Sequence, residues 1–480
     1  MRIDRENILN SIENAKQCLI STQQKISLSG KDYLTWPLFF TDTTTPSSDV
    51  DVCTSALGII ALSKFDFRNN NSIKQSVIDS INTLISIRND DGSWPSKISL
   101  VSKDQLFMEG VISDTYYALF ALLSVGFLSN NPLITSFKNL KNGITYNTLD
   151  DRLAFINDSV EWLLDNRVDH KQGWQYTGVS YLEDTNEKDS LPAYTTPTAN
   201  ALIILSEIIY LVKELSPEHT MIKKIENAIN NSTSWFCDIQ SNDKKDCGFG
   251  IKRGERSRIG NTLRVIIALS KTLKITNLES SERALHKAVK WVMNNYNPSK
   301  LSFADVGEDF HQLIIEKQSG VLKNAYRRSI NHETYIESNI IEALSIYYNS
   351  FISNNLSYFK KLRIYNTILK SLSLLLNSQK HGGNYDGAIA SRRVPTIEQY
   401  TMYSTSNFIC SLVDLCADKA LFNKIKHNRI RNFLFAFITM SFIIISILLT
   451  FYTNTLEYWI TVPIGIVFSI LANILTEKFT

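Results

Sequence analysis

The sequence predicts an all-α protein in which about six tandem helix pairs close into a toroid, followed by two C-terminal transmembrane helices. One pattern recurs through residues 1–423: an amphipathic helix, a Gly/aromatic loop, a polar stretch and a helix rich in small residues. Two adjacent uncharged runs then close the chain.

Composition sets the outer bounds. A chain of 480 residues with 44% hydrophobic and 20% charged residues can bury a large core, which excludes disorder. A formal charge of +3 is nearly neutral for this size, so no nucleic-acid partner is expected. The six cysteines (Cys18, Cys53, Cys237, Cys247, Cys410 and Cys416) lack CxxC or CxxH spacing and read as reduced thiols of a cytosolic domain. His332-Glu333 is not HExxH, and no metal or other cofactor is expected. The opening residues mix charges throughout, without the apolar stretch of a secretory signal.

The repeat is clearest in LISIRNDDGSWP (84–95) with SDTYYALFALLS (113–124), and in WLLDNRVDHKQGWQY (162–176) with TTPTANALIIL (195–205). A third copy is WFCDIQSNDKKDCGFG (235–250) with RIGNTLRVIIAL (258–269). Weaker copies are CLISTQQ (18–24) with SSDVDVCTSALGIIAL (47–62), WVMNNYNPSKLSF (291–303) with HETYIESNIIEAL (332–344), and LLLNSQKHGGNYDG (374–387) with YSTSNFICSL (403–412). Each loop glycine permits a tight reversal, and the neighbouring aromatic packs the loop on the helix ends. Ser, Thr, Asp or Asn opening the second helix satisfies its free N–H groups. Ala, Gly and Ser within that helix allow the close approach an inner ring needs.

DDGSW, KQGW, DCGFG and HGGNY, in this repeating context, resemble the terpenoid cyclase and prenyltransferase repeat family, with its Q-x-x-x-G-x-W-like loops. The resemblance covers roughly residues 1–420 and implies an (α/α)6 toroid. It also gives a meaning to Asp49-Val50-Asp51-Val52-Cys53-Thr54, which is similar to the D-x-D-D-T-A motif of class II cyclases, with Asp51 on the proton-donor position and Asp49 beside it. The fourth motif position is Val52, so the tuning carboxylate is missing. The competing reading of Asp49, Asp51 and Asp114 is helix capping, because a helix N-terminus favours the carboxylate over the acid. Carbocation chemistry would use aromatic faces on the inner helices, for which Tyr116, Tyr117, Phe120, Tyr335 and Phe408 are candidates. The prenyltransferase reading would place zinc on Asp51, Cys53 and His332, in an order unlike that family's.

Charge is arranged unevenly in the loops that precede the inner helices. Lys252, Arg253, Arg256 and Arg258, then Arg327 and Arg328, then Arg392 and Arg393 are basic, whereas the first three loops carry Asp42, Asp49, Asp51, Asp104, Glu109, Asp114, Glu183, Asp184 and Glu187. A toroid gathers these loops at one end, so the basic arc is expected to hold an anionic ligand such as an isoprenoid diphosphate. The alternative is loop charges solvated separately or paired across the mouth.

The run at 433–453 is uncharged over a length that crosses a hydrocarbon layer, and WITVPIGIVFSILANIL (459–475) follows a short turn. Lys424, Lys426, Arg429 and Arg431 precede the first run, whereas the turn holds only Glu457. The expectation is a toroid over 1–423, a basic linker at 424–432 and a membrane hairpin at 433–480, in the cell inner membrane with the large domain cytoplasmic. The lipid membrane is then a partner through residues 433–475. The function expected is that of a membrane-tethered terpene cyclase-like protein acting on a lipophilic isoprenoid. The alternative is a noncatalytic toroid that senses a ligand or binds a protein partner in a bacterial defence system and signals to its hairpin.

Overall fold

The computed structural model describes residues 5–423 except 29, 38, 41–48, 67–69, 100–109, 135, 180–181, 183–184, 241–245, 277, 297–307, 312–326, 331–332, 351–355, 390–399 and 419–420, together with Met440 and Ser441. In chain order the helices are α1 (Arg5–Thr22), α2 (Val52–Ser63), α3 (Asn71–Ile87), α4 (Ile112–Ser124), α5 (Leu149–Asp165), α6 (Thr185–Ser190), α7 (Thr195–Leu215), α8 (Met221–Ile239), α9 (Ile259–Thr276), α10 (Glu279–Asn295), α11 (Glu333–Asn349), α12 (Tyr358–Asn377) and α13 (Met402–Ala417).

Helices α2, α4, α7, α9, α11 and α13 form an inner ring in which each packs on the next and α13 returns to α2. The others, apart from the short α6, lie outside this ring. Composition explains the division. Helix α2 buries Ala56, Leu57, Gly58, Ile59, Ile60, Ala61 and Leu62 in succession, so it has no polar face to offer water. Helix α10, by contrast, buries only Ser281, Ala284, Leu285, Ala288, Val289 and Val292, spaced along one stripe. Each large apolar side chain taken from water adds about 1.5–3 kcal/mol, and the inner ring concentrates that gain. At Gly58 a Cβ would lie 2.6 Å from the Trp36 ring, so the first loop's tryptophan can seat on α2 only where the side chain is hydrogen.

The connections are unequal. Apart from 125–148 between α4 and α5, inner helices run into the next outer helix through short segments, such as 216–220, while most long loops collect at the N-terminal end of the inner ring. These loops carry short antiparallel ladders that the all-α reading did not anticipate. Gln24–Leu28 pairs with Lys31–Thr35, Asp49–Asp51 with Lys97–Ser99, and Arg167–Val168 with Gly173–Trp174. Phe39–Phe40 pairs with Tyr400–Thr401, and Glu308–His311 with Arg327–Ile330. Several bonds link one repeat to the next: the Val52 N–H donates to Ser96 O (3.2 Å), Ile112 N–H to Tyr176 O (2.9 Å) and Thr195 N–H to Ile251 O (2.8 Å). Each supplies an acceptor for a helix-start donor that has none within its own helix. The Phe39–Phe40 ladder joins the first loop to the sixth and closes the circuit.

A threonine in the first turn of the inner helices fixes the Gly/aromatic loop. The N–H groups of Trp94 and Trp174 each donate to a threonine Oγ1, Thr115 and Thr198, both at 3.0 Å. Phe249 N–H reaches Thr262 Oγ1 at 2.9 Å and Ile389 N–H reaches Thr405 Oγ1 at 3.0 Å. In the first repeat the polarity reverses, Thr54 Oγ1 donating to Trp36 O at 2.8 Å. The indole N–H groups of Trp36, Trp94 and Trp174 donate to outer-helix carbonyls of Leu19, Leu84 and Leu163. The repeat's Thr is therefore a tether as much as a cap.

The expected hairpin at 433–480 falls outside the described residues, Met440 and Ser441 aside, and the two C-terminal spans find no support. Among the described residues one helix, Thr195–Leu215, is long and apolar enough to cross a membrane, and 78% of its apolar window is buried inside the protein. It is an inner-ring helix, apolar because its neighbours cover it. The lipid-membrane partner expected through residues 433–475 likewise finds no support, its segment lying outside the described residues apart from Met440 and Ser441.

Candidate active site on the toroid axis

Asp51 ends the Asp49–Asp51 strand and caps α2: its Oδ1 accepts the Thr54 N–H at 2.8 Å, with the extended backbone of an N-cap. Asp49 lies in the same strand, opposite Ser99. Asp114 is not a cap of its own helix, because the N-cap of α4 is Val111, which makes no side-chain cap bond. The Asp114 side chain is buried, and it accepts the N–H of Cys53 on α2 as well as its own N–H. Two carboxyls from neighbouring inner helices thus converge on the first turn of α2.

Their environments differ. Burial drives the Asp114 pKa well above the usual carboxylate range, and the charge of Asp51 pushes it the same way, against two N–H donors that favour the anion. Asp114 is therefore the carboxyl whose protonated form its surroundings favour. The Cys53 thiol between them is pushed well above its ordinary value by burial and then by both carboxyls, with Arg264 opposing. The arrangement can supply a proton from one group while the other accepts hydrogen bonds, the pairing that general acid–base work requires.

Side chains of the inner helices also meet across the ring. Arg264 of α9 donates to the Tyr117 hydroxyl of α4 at 3.0 Å, and that hydroxyl lies 2.6 Å from the Tyr403 hydroxyl of α13. Helices α4, α9 and α13 are alternate members of the ring, so this chain of bonds spans its centre. The Arg264 guanidinium also sits 5.4 Å from the Tyr116 ring centroid and 5.9 Å from that of Tyr117. Tyr116 in turn packs on Phe120 at 5.9 Å. Further charge pairs lie further along the inner ring: Lys64, at the end of α2, pairs with Asp414 of α13 at 2.7 Å, and Lys271 of α9 pairs with Glu207 of α7. Burial raises the pKa of Glu342 there, against the cations Arg264, Lys271 and Lys64.

The remaining expected site residues are dispersed. Phe408 is wholly buried in the core and Tyr335 lies in the first turn of α11. Lys252, Arg253 and Arg256 are exposed and Arg258 is half-buried in the loop entering α9; Lys252 lies 3.9 Å from Glu255, and Arg258 bonds to Phe249 through its backbone. Arg327 and Arg328 lie on a strand paired with Glu308–His311, while Arg392 and Arg393 fall outside the described residues. Among the described residues no group of His, Cys, Asp and Glu is arranged to hold a metal ion. Sequence reasoning passed over Arg264 and Tyr403 and read Asp114 as a cap and as one charge of the acidic arc. The available signal was a charged residue inside each of two apolar helices, SDTYYALFALL and NTLRVIIAL, where an unpaired charge would be costly.

No protein-family model matches the chain, and no curated protein does. Solved structures do. The cellobiose 2-epimerase of Bacillus thermoamylovorans superposes with a TM-score of 0.54 at 8% identity, over 85% of this chain and 99% of that one. The fold is an α/α toroid. An alpha-mannanase of glycoside hydrolase family 76 from Bacteroides thetaiotaomicron gives a TM-score of 0.53 at 11% identity over 87% and 97% of the two chains. A D-mannose isomerase gives 0.50 at 9% identity over 86% and 98%. Likeness at this identity establishes the fold alone, and it confirms the toroid expected from the loop repeats.

The terpene cyclase-like activity, the isoprenoid ligand and the defence-sensor alternative are corrected here: the toroids that this fold resembles are by name sugar-processing enzymes. The physical reason is visible on the axis. A cation-guiding cavity for an isoprenoid needs a dry apolar centre, whereas here an arginine, two phenols and two carboxyls occupy it.

Proposed function

We propose that this α/α toroid, formed by residues 1–423, is a carbohydrate-acting enzyme whose acid–base chemistry is carried by Asp114 and Asp51. The observation that carries the reading is the carboxyl pair at the start of α2, one member buried so that its acid form is favoured, with a cluster of hydroxyls and a guanidinium on the same inner ring. Sugars present hydroxyl edges and C–H faces. The former match the polar cluster, and the latter match the rings of Tyr116 and Tyr117. The sugar-processing names of toroids with this architecture support the same class.

In this reading Asp114 donates its proton to a sugar oxygen as the C–O bond or the ring opens. Asp51, held at the positive end of α2, accepts a proton from water or substrate on the return step. The basic loop 252–258 forms part of the rim and needs no role in the chemistry.

The test is a screen of the purified protein against cellobiose, D-mannose and α-mannan, followed by Asp114→Asn and Asp51→Asn, the latter keeping a good capping residue. Loss of about 10²–10⁴-fold in turnover with unchanged circular dichroism is expected for Asp114→Asn. Turnover indifferent to both substitutions would refute the carboxyl assignment, and absence of turnover on every saccharide would refute the class.

A further inference from the structure

The rim of the toroid carries a tyrosine pair that the core does not use. Tyr176 and Tyr194 lie with ring centroids 5.0 Å apart, both half-buried, and neither belongs to the hydrophobic core, although Trp174 beside them is wholly buried in it. Backbone bonds fix their place. The Tyr176 carbonyl accepts the N–H of Ile112, the first residue of α4, two positions before Asp114. Tyr194 is the N-cap residue of α7, and its own N–H donates to Trp174 O at 2.9 Å. The pair therefore sits where α4 and α7 begin, at the end of the ring that holds the two carboxyls.

The basic loop comes to the same place. Tyr194 opposes Lys252 in an antiparallel bridge, flanked by the bond from Thr195 N–H to Ile251 O at 2.8 Å. Residues directly opposed in this way project their side chains from one face, with Cβ atoms about 4.5–5.5 Å apart. Lys252 thus shares a face with Tyr194, and the turn that follows carries the exposed Arg253 and Arg256 against one acid, Glu255. Glu255 lies 3.9 Å from Lys252, and among the described residues Arg253 and Arg256 form no ion pair and no side-chain hydrogen bond. Guanidinium forks beside aromatic rings match a ligand that has both an apolar ring face and an anionic substituent.

We propose that the Tyr176–Tyr194 pair and the 252–258 loop form a rim subsite for a sugar that carries an anionic group, a carboxylate or a phosphate ester. The inference rests on the carbohydrate reading above and names the substrate class within it. The tyrosine rings take the C–H face of the sugar and the loop takes its anion, so the subsite selects acidic over neutral saccharides without entering the proton transfers of Asp114 and Asp51. Helix α9 lies opposite α2 in the ring, so an anion held by the loop that enters α9 is kept away from the Asp51 carboxylate.

The experiment compares matched neutral and anionic sugars on the intact protein by calorimetric titration: D-mannose with D-mannose 6-phosphate, and cellobiose with cellobiouronic acid. Wild type should bind the anionic member of at least one pair about five- to tenfold more tightly, the gain expected from a few exposed ion pairs, and the two pairs tell phosphate from carboxylate. The preference should fade towards parity in about 1 M salt. Arg253→Glu combined with Arg256→Glu should abolish it and leave the affinity for neutral sugars unchanged. Tyr194→Leu, which keeps the backbone bonds, should weaken both members of a pair by about fivefold. Equal affinity for both members of each pair, or a preference that survives the charge reversal, would overturn the subsite and leave the carbohydrate reading standing. Inorganic phosphate binding as tightly as the sugar phosphate would overturn the link between anion and sugar. No binding of any saccharide, neutral or anionic, would overturn both readings.

Discussion

Gly92, in the DDGSW loop, offers a quantitative test of how the repeat is built. Its φ is +94°, and a Cβ there would lie 2.7 Å from Asp158 O, 2.8 Å from Asp158 C and 2.9 Å from Ser159 N, all backbone atoms of α5. The loop is pressed on that helix by more than this glycine: Arg88 donates to Phe155 O at 2.9 Å and lies 4.0 Å over the Phe155 ring. Gly92→Ala therefore incurs two costs. A left-handed backbone for an L-residue costs about 1–2 kcal/mol. Forcing a methyl against backbone that cannot rotate away costs roughly another 1–3 kcal/mol. Gly143, at φ +78° with nothing within 4 Å of its added Cβ, isolates the first cost. Urea unfolding followed by circular dichroism should thus show Gly143→Ala losing about 1–2 kcal/mol and Gly92→Ala losing about 2–5 kcal/mol. Equal losses for the two variants would refute the contact between loop and α5, and with it the reason for the recurring glycine.

Two further outcomes follow from the titrating groups. The native pKa of Asp114 is raised above its ordinary value of 3.8, so the native state keeps a proton that the unfolded chain releases. Its contribution to stability is full below that value and is lost as pH rises towards the native pKa, so the urea midpoint of wild type relative to Asp114→Asn should fall from about pH 4 upwards; a difference flat with pH would count against the buried acid. Burial pushes the Cys18 and Cys410 thiols up to about 12, so in native protein near pH 8 mass spectrometry should find both nearly unmodified by iodoacetamide and both labelled after unfolding. Rapid native labelling of either would contradict its packing.

The toroid was legible because its signals are local and periodic. DDGSW and KQGW place a glycine and a tryptophan at the same point of each unit, and TSALGIIAL and ANALIIL mark the helices that must approach closely. The inter-loop ladders were not legible. Val52 to Ser96 and Ile112 to Tyr176 are backbone bonds, which carry no residue signature. The site was partly legible for a related reason. Asp51 was found because a motif surrounds it, and its capping role was read correctly from position alone. Asp114 needed knowledge of its neighbour, since its acidity depends on burial against α2, and Arg264 needed the ring itself, since its partner lies 147 positions away in sequence.

The ladder between Phe39–Phe40 and Tyr400–Thr401 has a consequence for how the molecule holds together. In an open stack of repeats the end units each expose a face that must be made polar, and stability accumulates unit by unit. Here the sixth loop finishes what the first begins, so no unit is an end and the covalent break between the N-terminus and the C-terminal segment falls within an otherwise continuous belt. Such a band resists fraying, because opening it anywhere requires breaking two seams at once. It also fixes the diameter of its own bore, since every inner helix is held by neighbours on both sides. The bore that the arginine and the tyrosines span is therefore a dimension set by the whole circuit of helices, and not by any one of the repeats that line it.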